Sequence, residues 1–238
     1  MQHRDYVESA KRKRLMEKSS SSSSDVNNRC NRDDESSSSS MKNKNDPYLA
    51  PIPEAILSRD PLLINIGALR RTADWVSVNS QMSSQFGLSD QIDVVRRMHN
   101  LYGFPNESVS VIYSSHTLEH GSFGDGELED TLKEWRRVLN PAGLLLLSVP
   151  DLPTLSQMYL DPTLSFSQHW MITKMMYGAQ MDAADYHKIG FDLDTLTYFL
   201  SQAGFCQVER VKSFNLPFQD TSDMVYAGYF ISLNVAAR

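Results

Sequence analysis

Cysteine is almost absent from this chain of 238 residues, which has two, Cys30 and Cys206. Two thiols cannot build the multi-bridge framework that staples small secreted domains, and such usage is expected of a reducing compartment. No apolar run approaches the roughly 18 residues that a membrane-crossing helix requires, so no membrane span is expected. The N-terminus lacks a signal peptide's apolar core, and Glu8 and Glu17 do not suit a transit peptide. The expected location is therefore cytoplasmic. An excess of positive charge is also missing. Of 23 Lys+Arg and 29 Asp+Glu, the first fifty residues hold 10 and 8, leaving 13 against 21 for the remainder. A domain of that sign does not track a phosphate backbone, so no nucleic-acid partner is expected. The one basic cluster, Lys11-Arg12-Lys13-Arg14, has the composition of a nuclear-import signal and equally that of a solvated tail.

The first forty-six residues contain two serine runs, Ser19 to Ser24 and Ser36 to Ser40, set among Asn, Asp, Lys and Arg. Such a segment buries too little apolar surface to offset its ordering entropy, and residues 1–46 are expected to be a disordered tail. Residues 47–238 are then one domain, long enough for one core and too short for two. Within it, LLINIG (Leu62 to Gly67) reads as a buried strand stopped by glycine, WVSVNS (Trp75 to Ser80) as a second, alternating strand, and SVSVIYSS (Ser108 to Ser115) as a third. Asn140-Pro141-Ala142-Gly143 punctuates the chain before GLLLLSVP, whose consecutive leucines suggest burial on both faces, as in a parallel sheet. Leu128, Leu132, Trp135 and Leu139 recur at helical spacing and end at Asn140-Pro141, with Arg136 and Arg137 expected on the solvated side. Further helices are expected over 155–160, 169–177 and 194–203, and FCQVERV and GYFISLNV read as closing strands. Strands and helices that alternate around buried parallel strands predict an α/β, Rossmann-like doubly wound fold.

These blocks in this order, a strand and glycine turn followed by IYSSHTLEH, EWRRVLNPAG and MMYGAQMDAADYHKIGF, resemble the class I S-adenosylmethionine-dependent methyltransferases, in particular the type 11 group. The resemblance spans about Leu62 to Ala237. It implies S-adenosylmethionine as cofactor, held beyond the carboxyl ends of the strands. It further implies Gly67, Asn79, Met98, Ser115 and His116 as the residues around it. It does not separate a sugar, lipid, small metabolite or protein side chain as acceptor, and the acidic domain makes a small molecule, glycan or lipid more expected than nucleic acid. The family's glycine-rich turn is reduced here to Gly67 followed by Ala68-Leu69-Arg70-Arg71. Asn79 stands at the ribose-binding acid, Arg97 at the adenine-side acid, and Ser110 where aspartate is common. The extra bulk and positive charge at the turn oppose a sulfonium, which makes a catalytically inactive pseudoenzyme the second reading.

Methyl transfer from a sulfonium needs positioning more than acid–base groups, and a base matters only when the acceptor must lose a proton. His116 and His187 are the candidate catalytic bases, each with a plain structural alternative as a strand-end packing group or a hydrogen-bonded histidine. WMITKMMYGAQM (Trp170 to Met181) is either adaptable core filling or an acceptor-pocket lid. HTLEH (His116 to His120) also matches the His-x-x-Glu-His pattern of inverted zinc peptidases, where two histidines on one helix hold the ion. That geometry needs the motif well inside a helix, whereas here it follows a strand and runs into Gly121. No metal site is expected, and a zinc hydrolase is the third reading.

Overall fold

The computed structural model describes residues 46–68, 71–80, 92–218 and 220–238. The expected tail, apart from Asp46, lies outside the described residues, as do Lys11 to Arg14, Leu69 and Arg70. No helix among the described residues is long and apolar enough to cross a membrane.

Strand β1 (Leu63–Ile66) pairs in parallel with β2 (Val76–Asn79), and β2 pairs likewise with β3 (Val94–Val95). On its other side β1 pairs in parallel with β4 (Val109–Ser115), and β4 with β5 (Leu139–Pro150). Strand β6 (Val208–Arg210) closes the far edge. A small hairpin of β7 (Val225–Tyr226) and β8 (Tyr229–Phe230) precedes β9 (Ser232–Ala237), which inserts antiparallel between β5 and β6. The seven-stranded order is β3-β2-β1-β4-β5-β9-β6. The expected mostly parallel α/β sheet is present, and its strand order reverses between β1 and β4.

The period-two geometry of strands explains why so many of these residues are apolar. Ile64, Ile66, Ile112, Leu145 and Leu147 point into one core cluster. Their neighbours Leu63, Tyr113 and Leu146 point into another, with Trp75 and Phe214. The four leucines of β5 are thus shared between the two faces, as their run suggests. Strand β2 does not alternate as expected: Val76, Ser77 and Val78 are all buried because the strand lies inside the sheet. Asn140 to Gly143 are not a separate turn but an irregularity within β5, where the register against β4 shifts between Val109 and Val111. The stretch GYFISLNV splits into β8 and β9.

Among the described residues five helices flank the sheet: α1 (Glu54–Leu57), α2 (Glu127–Val138), α3 (Leu152–Tyr159), α4 (Phe166–Tyr177) and α5 (Leu193–Gln202). Helix α2 buries Leu128, Leu132, Trp135 and Val138, and carries acids in its first turn and arginines in its last, as the helix dipole favours. Arg137 is not simply solvated, however. It forks onto Glu134 at 2.6 Å and 2.8 Å and also donates to the carbonyl of Phe104. Helix α4 sends Ile172 into a small cluster, with Met175 and Met176 packed against it, so part of the methionine run is core. Trp170, Met171, Tyr177 and Met181 stay exposed.

The Trp135 indole N–H donates to the carbonyl of Met98 at 2.9 Å, which ties α2 to the loop after β3 from inside the main cluster. Trp135→Ala is expected to cost about 3–5 kcal/mol, because both the buried ring and a buried hydrogen bond are lost. Urea unfolding checks this, the midpoint falling with little change in slope.

Candidate functional site

In a parallel sheet the ligand crevice opens beyond the carboxyl ends of the strands where their order reverses. Here those ends carry Gly67 after β1, Asn79 at the tip of β2, and Ser115 to Thr117 at and after the end of β4. Gly67 turns the chain at φ +82 and donates its N–H to Val78 at 2.9 Å. A Cβ at this position would lie 1.9 Å from the Thr117 hydroxyl oxygen. The glycine is therefore required by the chain's own close packing against Thr117. The Thr117 hydroxyl donates to the carbonyl of Ser115.

The Asn79 amide donates to the carbonyl of Ala68 at 2.8 Å, and its oxygen accepts from the Ser80 N–H at 2.7 Å. Among the described residues nothing else takes the second amide hydrogen or the second oxygen lone pair, which leaves capacity for a pair of vicinal hydroxyls. Of the two cations expected to repel a sulfonium, Arg70 lies outside the described residues, and the Arg71 guanidinium is paired with Asp93 at 2.8 Å. Arg97 lies over the Tyr48 ring at 4.7 Å from its centroid. Met98 faces inward, half-buried against the main cluster, with its terminal methyl 3.1 Å from a Cβ placed on Gly121. Ser115 shares a hydrogen bond of 2.6 Å with Thr221.

The fit of S-adenosylmethionine is thus mixed. Asn79 retains the hydrogen-bonding capacity that the ribose needs, while the aminoacyl end is admitted at Gly67 only after the Thr117 side chain turns away.

The histidines point elsewhere. The His116 Nε2 is paired with Ser232 at 3.0 Å, and its Nδ1 lies 3.5 Å from Glu119. His187 places Nδ1 2.9 Å from the carbonyl of Met175 and Nε2 3.9 Å from Glu119. Neither candidate base presents a bare nitrogen to the crevice. Both instead meet Glu119, a carboxylate with 0% side-chain exposure and no hydrogen-bond partner on either oxygen. Burial pushes the Glu119 carboxyl up. Interaction with His116, together with the neighbouring imidazoles of His120 and His187, outweighs this and holds it below its usual value. Burial pushes the His187 imidazole down, which favours its neutral form.

The motif HTLEH does not form the zinc-peptidase geometry. Leu118–His120 make a single 3-10 turn, so His116 and His120 do not stack on one helix face. His120 instead sets its ring edge-on to His187, with centroids 4.8 Å apart. The sequence carries both blocks, HTLEH and DYHKIGF, but nothing in their spacing shows that they meet. Thr117 likewise gives no sequence sign of its position over Gly67.

Residues 72–147 match a family described as a methyltransferase domain, and the sheet order is that of the class I methyltransferase fold. The resemblance read from the sequence is thereby upheld for the fold and for this segment, which is less than half of the chain. No curated protein matches the sequence. Among solved structures, a SAM-dependent methyltransferase from Archaeoglobus fulgidus aligns at 15% identity and a TM-score of 0.44, covering 74% of this chain and 84% of that one. The trans-methyltransferase CalH in complex with SAH aligns at 17% and 0.42, covering 74% and 50%. The CMeT domain of the citrinin polyketide synthase aligns at 11% and 0.42, covering 74% and 45%, so this chain spans under half of that protein. Likenesses this distant carry nothing about chemistry.

The Gly67–Thr117 approach is open to a double-mutant cycle. Gly67→Ala is expected to cost about 2 kcal/mol or more, from the left-handed backbone and the overpacking together. In a Thr117→Ala background the penalty should fall toward the backbone part alone, about 1–2 kcal/mol. Equal penalties in the two backgrounds, measured by urea unfolding, would remove Thr117 as the close neighbour.

Proposed function

We propose that the chain is a cytoplasmic S-adenosylmethionine-dependent methyltransferase acting on a small-molecule, glycan or lipid acceptor. The observation that carries this reading is Asn79, set at the tip of β2 beside the point where strand order reverses, with an amide hydrogen and a lone pair still to offer. Asn79 would hold the ribose hydroxyls, and the Gly67 turn would take the aminoacyl end once Thr117 rotates. The bound sulfonium supplies a methyl group that is already activated, so this chain's task is to orient donor and acceptor and to exclude water. His116 is paired with Ser232 and His187 with the carbonyl of Met175, and both turn toward Glu119. The reading therefore favours an acceptor atom that reacts without a protein base.

A second reading rests on Thr117. If it stays over Gly67, the domain keeps the fold as a pseudoenzyme that binds a partner rather than the cofactor. Calorimetric titration of the full chain with S-adenosylmethionine, then S-adenosylhomocysteine, separates the two. Micromolar binding is expected. Asn79→Ala should weaken it roughly tenfold, the worth of one or two neutral hydrogen bonds, and Thr117→Ala should leave it equal or tighter. No heat at millimolar ligand from a folded sample would overturn the enzyme reading in favour of the pseudoenzyme.

A further inference from the structure

Glu119 poses a problem of charge. A carboxylate with no exposed side-chain surface needs donors close by, yet the His116 Nδ1 stands off at 3.5 Å and neither oxygen has a hydrogen bond of ordinary length. The groups around it are imidazoles, and two of them are turned so that they cannot donate. The His187 Nδ1 lies 2.9 Å from the main-chain oxygen of Met175, and the His120 Nδ1 lies 3.1 Å from that of Tyr186. A carbonyl only accepts, so each Nδ1 carries the proton, and in the neutral ring Nε2 is left with a bare lone pair. At His187 that nitrogen faces Glu119 Oε1 across 3.9 Å. If a proton joined them, the charge-assisted bond would draw in to about 2.7–2.9 Å. A lone pair facing a carboxylate at this distance calls instead for a cation between them.

One ligand atom from each of Glu119, His120 and His187 lies within 4.8 Å of the other two. Ligands bound at about 2.0–2.2 Å to one tetrahedral ion sit roughly 3.4 Å apart, so closure needs shifts of an ångström or less. The Nδ1–H···O=C contacts are the outer-shell contacts that orient metal-binding histidines. Glu119 is buried, whereas His120 and His187 are half-buried and leave a way in from solvent.

We propose that Glu119, His120 and His187 form a binding site for a divalent first-row transition ion, with Zn2+ the ion that this donor set suits. Two imidazole nitrogens and one carboxylate select this class over Mg2+ and Ca2+, which take sets made wholly of oxygen. Three protein ligands leave a coordination position for water or a ligand oxygen. His116, at 3.5 Å from the same Glu119 oxygen, is a positioning residue that braces the carboxylate from the side of β9. The site differs from an inverted zinc-peptidase site because its second histidine comes from DYHKIGF rather than from the start of HTLEH.

The test uses the untagged full chain, stripped with chelator and then dialysed against Zn2+, with Co2+ as a spectroscopic substitute. One Zn2+ per chain is expected, together with a rise in Tm, in the wild type and in His169→Ala, which alters a half-buried histidine outside the cluster. His120→Ala and His187→Ala should lose both. In the wild type, Zn2+ should shift the side-chain NMR signals of His120 and His187 and leave that of His169 unmoved, a readout that holds even where a variant fails to fold. A folded wild type that takes up neither Zn2+ nor Co2+, equal uptake by His120→Ala, or unmoved His120 and His187 signals would each overturn the site. Uptake is read without S-adenosylmethionine, so this site and the methyltransferase reading can fail independently.

Discussion

The buried carboxylate of Glu119 is the constraint around which the carboxyl edge of the sheet is arranged. Its main-chain oxygen accepts from the N–H of Lys188 at 2.8 Å, and its side chain gathers His116, His120 and His187. One residue thus joins the turn after β4 to the segment that returns from α4 toward α5. The fit of that segment is close: a Cβ on Gly178 would fall 1.8 Å from the main-chain oxygen of Asp185, so the chain doubles back there only because glycine carries none. A buried charge is expensive for a fold to hold even with imidazoles beside it. Its retention at this edge, where this kind of sheet places its ligands, points to a function for the charge rather than to packing.

Much of the scaffold is legible in the sequence because it is governed by local periodicity. Strand β1 shows as a short apolar run stopped by Gly67, and α2 as leucines and Trp135 at helical spacing with acids before and arginines after. What the sequence conceals depends on distant neighbours. Val94 and Val95 make too short a run to announce β3, which is fixed by its pairing with β2 rather than by pattern. Ser77 looks like the outward position of an alternating strand, but an interior strand of a parallel sheet has no outward side. Arg137 looks solvated from its helix position, yet the carbonyl of Phe104 lies within its reach. Met98 lies near the expected cofactor position in the chain, but its carbonyl is held by Trp135 and its side chain turns into the core.

The candidate site divides in the same way. Gly67, Asn79 and Ser115 occupy strand tips, where the resemblance placed them, because the ends of strands can be read from the sequence. The partners of each do not follow from strand ends. Gly67 shows how one residue type supports two explanations, since a glycine that admits a cofactor and one that admits Thr117 look alike in sequence. Similarly, HTLEH read alone suggests a helical metal motif whose geometry the structure does not form. Its Glu119 and His120 acquire meaning only through His187, which approaches from another part of the chain.

These observations bear on how the two ligand questions relate. Thr117 lies between them: its hydroxyl meets Gly67 on the cofactor side, while the residues on either side of it, His116 and Leu118, lead directly to Glu119. Closing a metal site at Glu119 would draw the 3-10 turn Leu118–His120 toward His187, and Thr117 is the N-cap of that turn. The Thr117 hydroxyl fills the place a Cβ on Gly67 would take, 1.9 Å from that position. A movement of this cap therefore changes the space beside the glycine, and that space and the arrangement around Glu119 are linked through one residue, whatever ligand each one takes.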